Sequence, residues 1–336
     1  MAKLLVTGGR NSPNAANMEY GTRSEAGILL RVDTETGDVE KLLEHVTDPD
    51  LLARHTPKPG TTFKCGELHG DRLYLTTEYE VLVVEVGTWR ILKNITLPVF
   101  NDVHSVTRYG EDLLVTSTGL DAVFLIDHDG NILREWSTLD DGDIWDRFDK
   151  EVDYRKVLST KPHVVHPNFC TVVGEDIWVT RFEKLDAMCL TDGTKKRISF
   201  EAGKPHDGHL IGGLVYYTTV TGHIYVADPS TQEIVRHIDF NEYKKGIRPL
   251  GWARGMCISN GKINIAFSRL RPTRYTDNLT WVKDIRRHLS LTASHPTRIR
   301  IHDLESAQLE REINLEPHGI NLVFSVLDEA GEPEKS

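Results

Sequence analysis

The segment Gly110-Glu-Asp-Leu-Leu-Val-Thr-Ser-Thr118 has a near copy further along the chain, Gly174-Glu-Asp-Ile-Trp-Val-Thr180. Each reads as a tight turn followed by a strand whose side chains alternate between two faces. Looser copies obey the same grammar: Gly70-Asp-Arg-Leu-Tyr-Leu-Thr-Thr, Gly213-Leu-Val-Tyr-Tyr-Thr-Thr and Gly261-Lys-Ile-Asn-Ile-Ala-Phe-Ser. After each comes a strand that closes on an acidic residue: Val81–Glu85, Val123–Asp127, Met188–Asp192, Ile224–Asp228 and Ile299–Asp303. A third strand follows at Arg90–Leu97, Ile132–Leu139, Lys196–Phe200, Ile234–Phe240 and Leu309–Leu315. One more precedes each glycine turn: Thr62–Leu68, Val103–Tyr109, Asn168–Val173, His206–Leu210 and Arg254–Ile258.

Four strands per unit, with glycine turns 39 to 64 residues apart, is the arithmetic of a β-propeller blade. Five units are complete. Leu4–Gly8, Ile28–Asp33 and Val39–Leu43 read as the second, third and fourth strands of a sixth, whose innermost strand is expected at His318–Leu327. Both chain ends would then close one blade, which removes free sheet edges from the ring. The prediction is an all-β, six-bladed propeller of four-stranded blades. It is one domain over 1–328, with a disordered tail over 329–336. A β-sandwich would not repeat this pattern five times, and a seventh blade would need strands hidden in Tyr275–Thr297.

Composition narrows the partners. The 336 residues carry 40 Lys and Arg against 50 Asp and Glu, a net charge of −10, and 39% are apolar. That is globular rather than disordered. No long basic block exists, since Lys283–Arg287 is short and interrupted by Asp284, so nucleic acid is not an expected partner. No apolar run is long enough to span a bilayer, and the N-terminal residues do not read as a secretory signal, so no membrane partner is expected. The cysteines (Cys65, Cys170, Cys189, Cys257) are scattered, which argues against a disulfide framework and for a reducing cytoplasm. Nothing sets the oligomeric state.

The loops divide unequally. Those joining the second and third strands, or entering the innermost strand, hold every long insertion: Gly8–Gly27, Val46–Gly60, Leu139–His163 and Ser268–Thr297. They share one face of a propeller, where they would cover a site. The third has helical spacing at Ile144, Phe148 and Val152, with Asp140, Asp141 and Asp143 as candidate caps. Trp145, Trp252 and Trp281 are candidate pocket walls.

Aligning the innermost strands on their glycine turns places one residue per blade on the axis: Lys64, His104, Asn168, His206, Arg254 and, by analogy, His318. Two residues earlier stand Thr62, Asp102, His166, Lys204, Trp252 and Glu316. His104, His206 and His318 belong to alternate blades, about 120° apart in a six-fold ring. Three imidazoles converging so make a facial site for a divalent transition metal (Zn, Fe, Cu or Mn). Asp102, His166, Arg254 and Lys64 are the candidate catalytic residues. Lys204, Asn168, Asp207, Glu67 and Trp252 are the candidate substrate-binding residues, with Asp207 and Glu67 also able to orient a ligating imidazole.

The strand rhythm resembles the broad six-bladed propeller group that includes gluconolactonase-like, phosphotriesterase-like and strictosidine-synthase-like proteins. That resemblance implies an axial calcium held by Glu, Asn and Asp side chains. This chain has mainly His at those heights and departs from that set. The expectation is therefore a metal-dependent enzyme acting on a small polar or anionic substrate on the axis. The metal would serve as Lewis acid or water activator, with hydrolase, lyase, isomerase and oxygenase chemistry all open. The alternative is a non-catalytic propeller gripping a protein or glycan with its insertion-rich face.

Overall fold

The computed structural model describes residues 3–18, 21–50, 59–241, 250–270 and 295–331. Twenty-four strands, numbered β1 to β24 in chain order, form six four-stranded antiparallel sheets. Blade one is β24 (Leu322–Asp328), β1 (Lys3–Asn11), β2 (Ser24–Asp33) and β3 (Val39–His45), so both chain ends meet in it. Blades two to six run consecutively from β4 (Gly66–His69) to β23 (Leu309–Asn314). Their innermost strands are β4, β8 (Val103–Tyr109), β12 (Pro167–Val173), β16 (Pro205–Ile211) and β20 (Trp252–Ser259), which with β24 touch in one closed circuit. The chain is a six-bladed β-propeller.

The apolar strands explain the ring. In β10 (Ala122–Ile126), Val123 joins a cluster with Cys170, Ile177 and Val179 of blade four, while its neighbour Phe124 joins Tyr74 and Val81 of blade two. Alternate side chains thus pack against the blades on either side. Six such clusters fill the six gaps between blades. The outermost strand of blade three, β11 (Ile132–Ser137), is largely exposed because no further strand covers it.

Two local expectations are corrected. The innermost strand of blade one starts at Leu322, not at His318, because Glu316–His318 forms a 3-10 turn closed by Gly319 in the left-handed region at φ 89°. The insertion after β11 is not a continuous helix but two 3-10 turns, Ile144–Asp146 and Tyr154–Lys156. Asp143 does cap the first, accepting the Trp145 N–H at 3.1 Å. Trp281, most of Tyr275–Thr297 and residues 332–336 lie outside the described residues.

Candidate functional site

The innermost strands share a register break at one height. Val103 pairs with Ser117 and Ser105 with Thr116, leaving His104 as an extra residue. The same break brackets Asn168 and Phe169, His206 and Asp207, Arg254 and Gly255, and Phe324. A bulge bends its strand and re-aims a side chain. Repeated in five blades, it turns residues of successive blades toward the axis. Gly255 permits this in blade six, where a Cβ would meet the Ser325 backbone at 2.3 Å. Lys64 takes the equivalent place ahead of β4.

Three rings from alternate blades meet on the axis. His104, His206 and Phe324 form a nearly equilateral triangle, with centroids 6.1, 6.3 and 6.0 Å apart. The expected third imidazole is absent from that apex: His318 sits on its 3-10 turn and does not line the cavity. A phenyl ring has no lone pair to give a metal. Among the described residues no group of three or more His, Cys, Asp and Glu side chains is arranged to hold an ion. The residues on the axis therefore do not fit the expected three-histidine centre.

What they enclose is a cavity of about 1210 Å³. Its floor is the axial layer, and its walls come from the insertions through Arg23, Gly60, Lys161 and His163. Asp121, buried and left-handed at φ 54°, pins the end of the third insertion. Its carboxylate accepts the N–H groups of Val164, Val165 and His166 at 2.9, 3.1 and 2.8 Å. That bond set holds His166 at φ 58° inside the cavity, 5.2 Å from the His104 ring and hydrogen-bonded to His163 at 2.8 Å. The described lining has five cationic side chains (Arg23, Lys64, Lys161, Lys204, Arg254) and three acidic ones (Glu78, Asp102, Glu183). The described lining thus carries a positive balance in a chain of net charge −10.

The imidazoles are tuned to stay neutral. Burial pushes His206 below its usual 6.5, although Asp207 pulls the other way. Burial, helped by Lys64, puts His104 well below 6.5. Each Nδ1 is committed as a donor, His104 to the Asp102 carbonyl at 2.9 Å and His206 to the Asp207 carboxylate at 2.5 Å. Each Nε2 is then left with its lone pair. Asp207 is held down to about 2: burial would raise it, but His206 and His209 outweigh that. Burial would also raise Asp102, yet the ion pair with Lys64 and the nearby His104 take it well below the carboxylate range. Glu78 goes the other way, pushed up to about 7 by burial while accepting the Thr62 N–H at 2.9 Å.

Of the residues expected here, Lys64, Asp102, His104, His166, Asn168, Lys204, His206, Trp252 and Arg254 line the one cavity. Lys204 lies against Glu183 at 2.6 Å. Asp207 stands behind His206 rather than in the wall. Glu67 is corrected: it lies outside the lining, and its carboxylate accepts the Arg108 N–H at 3.0 Å. Trp145 also lies outside, donating to Glu135. Glu78, His163 and Phe324 were not anticipated. Glu78 sits on a connection between second and third strands, the class of loop that shares the insertion face, and that signal was available in the sequence.

No known protein family matches the chain, and no curated protein matches it either. Solved structures do resemble it in shape. A streptogramin B lyase is 14% identical, with 93% of this chain and 88% of that chain covered at a TM-score of 0.49. A catalytically inactive variant of virginiamycin B lyase from Staphylococcus aureus, with quinupristin, is also 14% identical, with 94% and 90% covered at 0.49. A chain of a nidogen/laminin complex is 9% identical, with 96% and 97% covered at 0.58. The last likeness shows the shared fold.

Proposed function

We propose that this protein is an enzyme that moves a proton on a small anionic substrate held on the propeller axis, with His206 as general base. One observation carries the reading. His206 has Nδ1 fixed by an ionised Asp207, is itself neutral, and keeps a buried Nε2 with no partner among the described residues. That is the arrangement a general base requires: a free lone pair, a fixed tautomer and a suppressed charge.

In the proposed step a C–H or O–H bond of the substrate breaks and its proton passes to His206 Nε2. The electron pair stays on the substrate, where Lys64 and Arg254 hold the developing charge. Asp102 fixes Lys64 in place through their ion pair. Glu78, carrying its proton about half the time near pH 7, returns a proton to a departing oxygen or to the opposite carbon. The balance is that of a lyase or an isomerase, with no oxidant needed. Lys204, Asn168 and Trp252 complete the substrate wall, and His104 and His166 offer further neutral imidazoles. The four cysteines, all buried and none in a disulfide, support a reducing compartment such as the cytoplasm.

The test is proton NMR in D2O on a panel of small carboxylates and phosphates incubated with the protein. The reading expects solvent deuterium in at least one compound, with exchange slowed about 100-fold or more by His206→Gln. Exchange that survives His206→Gln undiminished, or no exchange across the panel, overturns it.

A further inference from the structure

Four polar atoms in the cavity wall are buried and have no partner among the described residues: Asn11 Nδ2, Thr62 Oγ1, Asn168 Oδ1 and His206 Nε2. Their residues are 5%, 1%, 2% and 6% exposed, so bulk water does not serve them. Groups in this state normally find a partner, and a ligand is the partner a binding cavity supplies.

Their chemistry divides by wall. Asn168 Nδ2 already donates to the Pro205 carbonyl at 3.1 Å, which leaves Oδ1 as an acceptor. The Asp207 bond makes His206 Nε2 an acceptor too. These two stand on neighbouring innermost strands, β12 and β16, of blades four and five. Across the axis, Asn11 Oδ1 accepts from Ser24 at 2.8 Å, which leaves Nδ2 as a donor. Thr62, packed against Gly9 of the same strand β1, offers a hydroxyl ahead of blade two, and Lys64 follows two residues on. In a six-membered ring, blades one and two face blades four and five. One wall offers hydrogens, including those of the Lys64 ammonium paired with Asp102; the opposite wall asks for hydrogens.

We infer that the cavity takes a small hydroxy acid or amino acid, its oxyanion against Asn11, Thr62 and Lys64 and its hydroxyl or amino group shared by Asn168 and His206. This rests on the reading of the site as one for anionic substrates and adds the donor group that such a substrate carries. A plain carboxylate fills one wall and leaves both buried acceptors unpaired, whereas a hydroxyl donates its one hydrogen to one of them and an ammonium bonds both. A neutral polyol satisfies the acceptors and wastes the cations.

Isothermal titration calorimetry of the full chain at neutral pH tests this without any turnover. Two matched pairs serve as probes, malate with succinate and lactate with propionate, and malamide serves as the uncharged control. The hydroxy acid should bind about tenfold or more tighter than its deoxy partner in at least one pair, because a site built to bond a hydroxyl rejects the analogue lacking it. Asn168→Asp, which keeps an acceptor but sets a carboxylate facing the anion, should weaken both members of each pair. Asn168→Leu should remove the preference alone. Equal affinity within both pairs, or preference unchanged in Asn168→Leu, overturns the donor assignment. It leaves the anionic reading standing if malate still outbinds malamide. Malamide binding as tightly as malate overturns the anionic reading itself, and binding of none of the five probes overturns the substrate class.

Discussion

Glu78→Gln is the sharpest perturbation of the site. The carboxyl is pushed from 4.5 to about 7, chiefly by burial. Gln keeps the acceptor that receives the Thr62 N–H and removes the charge. Below about pH 4.5 the folded and unfolded wild type both carry the proton, and Glu78 has no effect on the pH slope. As pH rises, the unfolded chain gives up the proton first, and the folded state follows only near 7. The wild type therefore loses stability through that window, and the loss is complete above it. The gap from 4.5 to about 7 corresponds to about 3 kcal/mol. Glu78 is half-buried in the cavity wall, so we expect about 2 kcal/mol after screening. Equilibrium urea unfolding of both proteins at about pH 5 and about pH 8.5 reads it, because other titrations cancel in the difference. Glu78→Gln should gain about 1 kcal/mol on the wild type between the two conditions, the rest of the loss falling below pH 5. A stability difference that is unchanged within about 0.5 kcal/mol, or that moves the other way, refutes the burial argument.

Lys64→Met should destabilise the fold by about 3–5 kcal/mol because it removes the ammonium that balances the buried Asp102 charge, and the double variant Lys64→Met/Asp102→Asn should recover most of that in urea unfolding. Phe324→His should turn the axial triangle into three imidazoles and raise zinc bound after dialysis by about one ion per chain over the wild type; no increase would show that the rings cannot converge. Asp121→Ala removes the acceptor for three consecutive N–H groups and should cost about 2 kcal/mol or more, with new cleavage between residues 139 and 163 under limited proteolysis.

The repeat grammar is what the sequence alone determined. Blade membership follows from glycine turns and apolar alternation, which are local properties, so β6 (Val81–Glu85) and β8 fall on the strands read from the sequence. Insertion length also revealed which face carries the site, since a closed ring leaves long loops nowhere else to go. The spacing of three axial groups on alternate blades was legible for the same reason. The identity of the third was not. Whether His318 or Phe324 occupies the last apex depends on where β24 begins, and a 3-10 turn at Glu316–His318 shifts that start by four residues.

Only the tertiary structure decided which polar groups meet. In a regular strand His206 and Asp207 would point to opposite faces. The bulge sets them both against Thr218 and brings the two side chains into hydrogen-bond contact. Burial depth is likewise a property of the whole ring. Glu78 and Glu80 are alike in sequence, yet burial of Glu80 is outweighed by His45 and by hydrogen bonds from Thr47, Thr77 and Asn94, and it stays low, whereas Glu78 is pushed up by its burial. Pattern fixes which residues share a face, but only the closed ring fixes which groups lose water together, and their shifted titrations follow from the second.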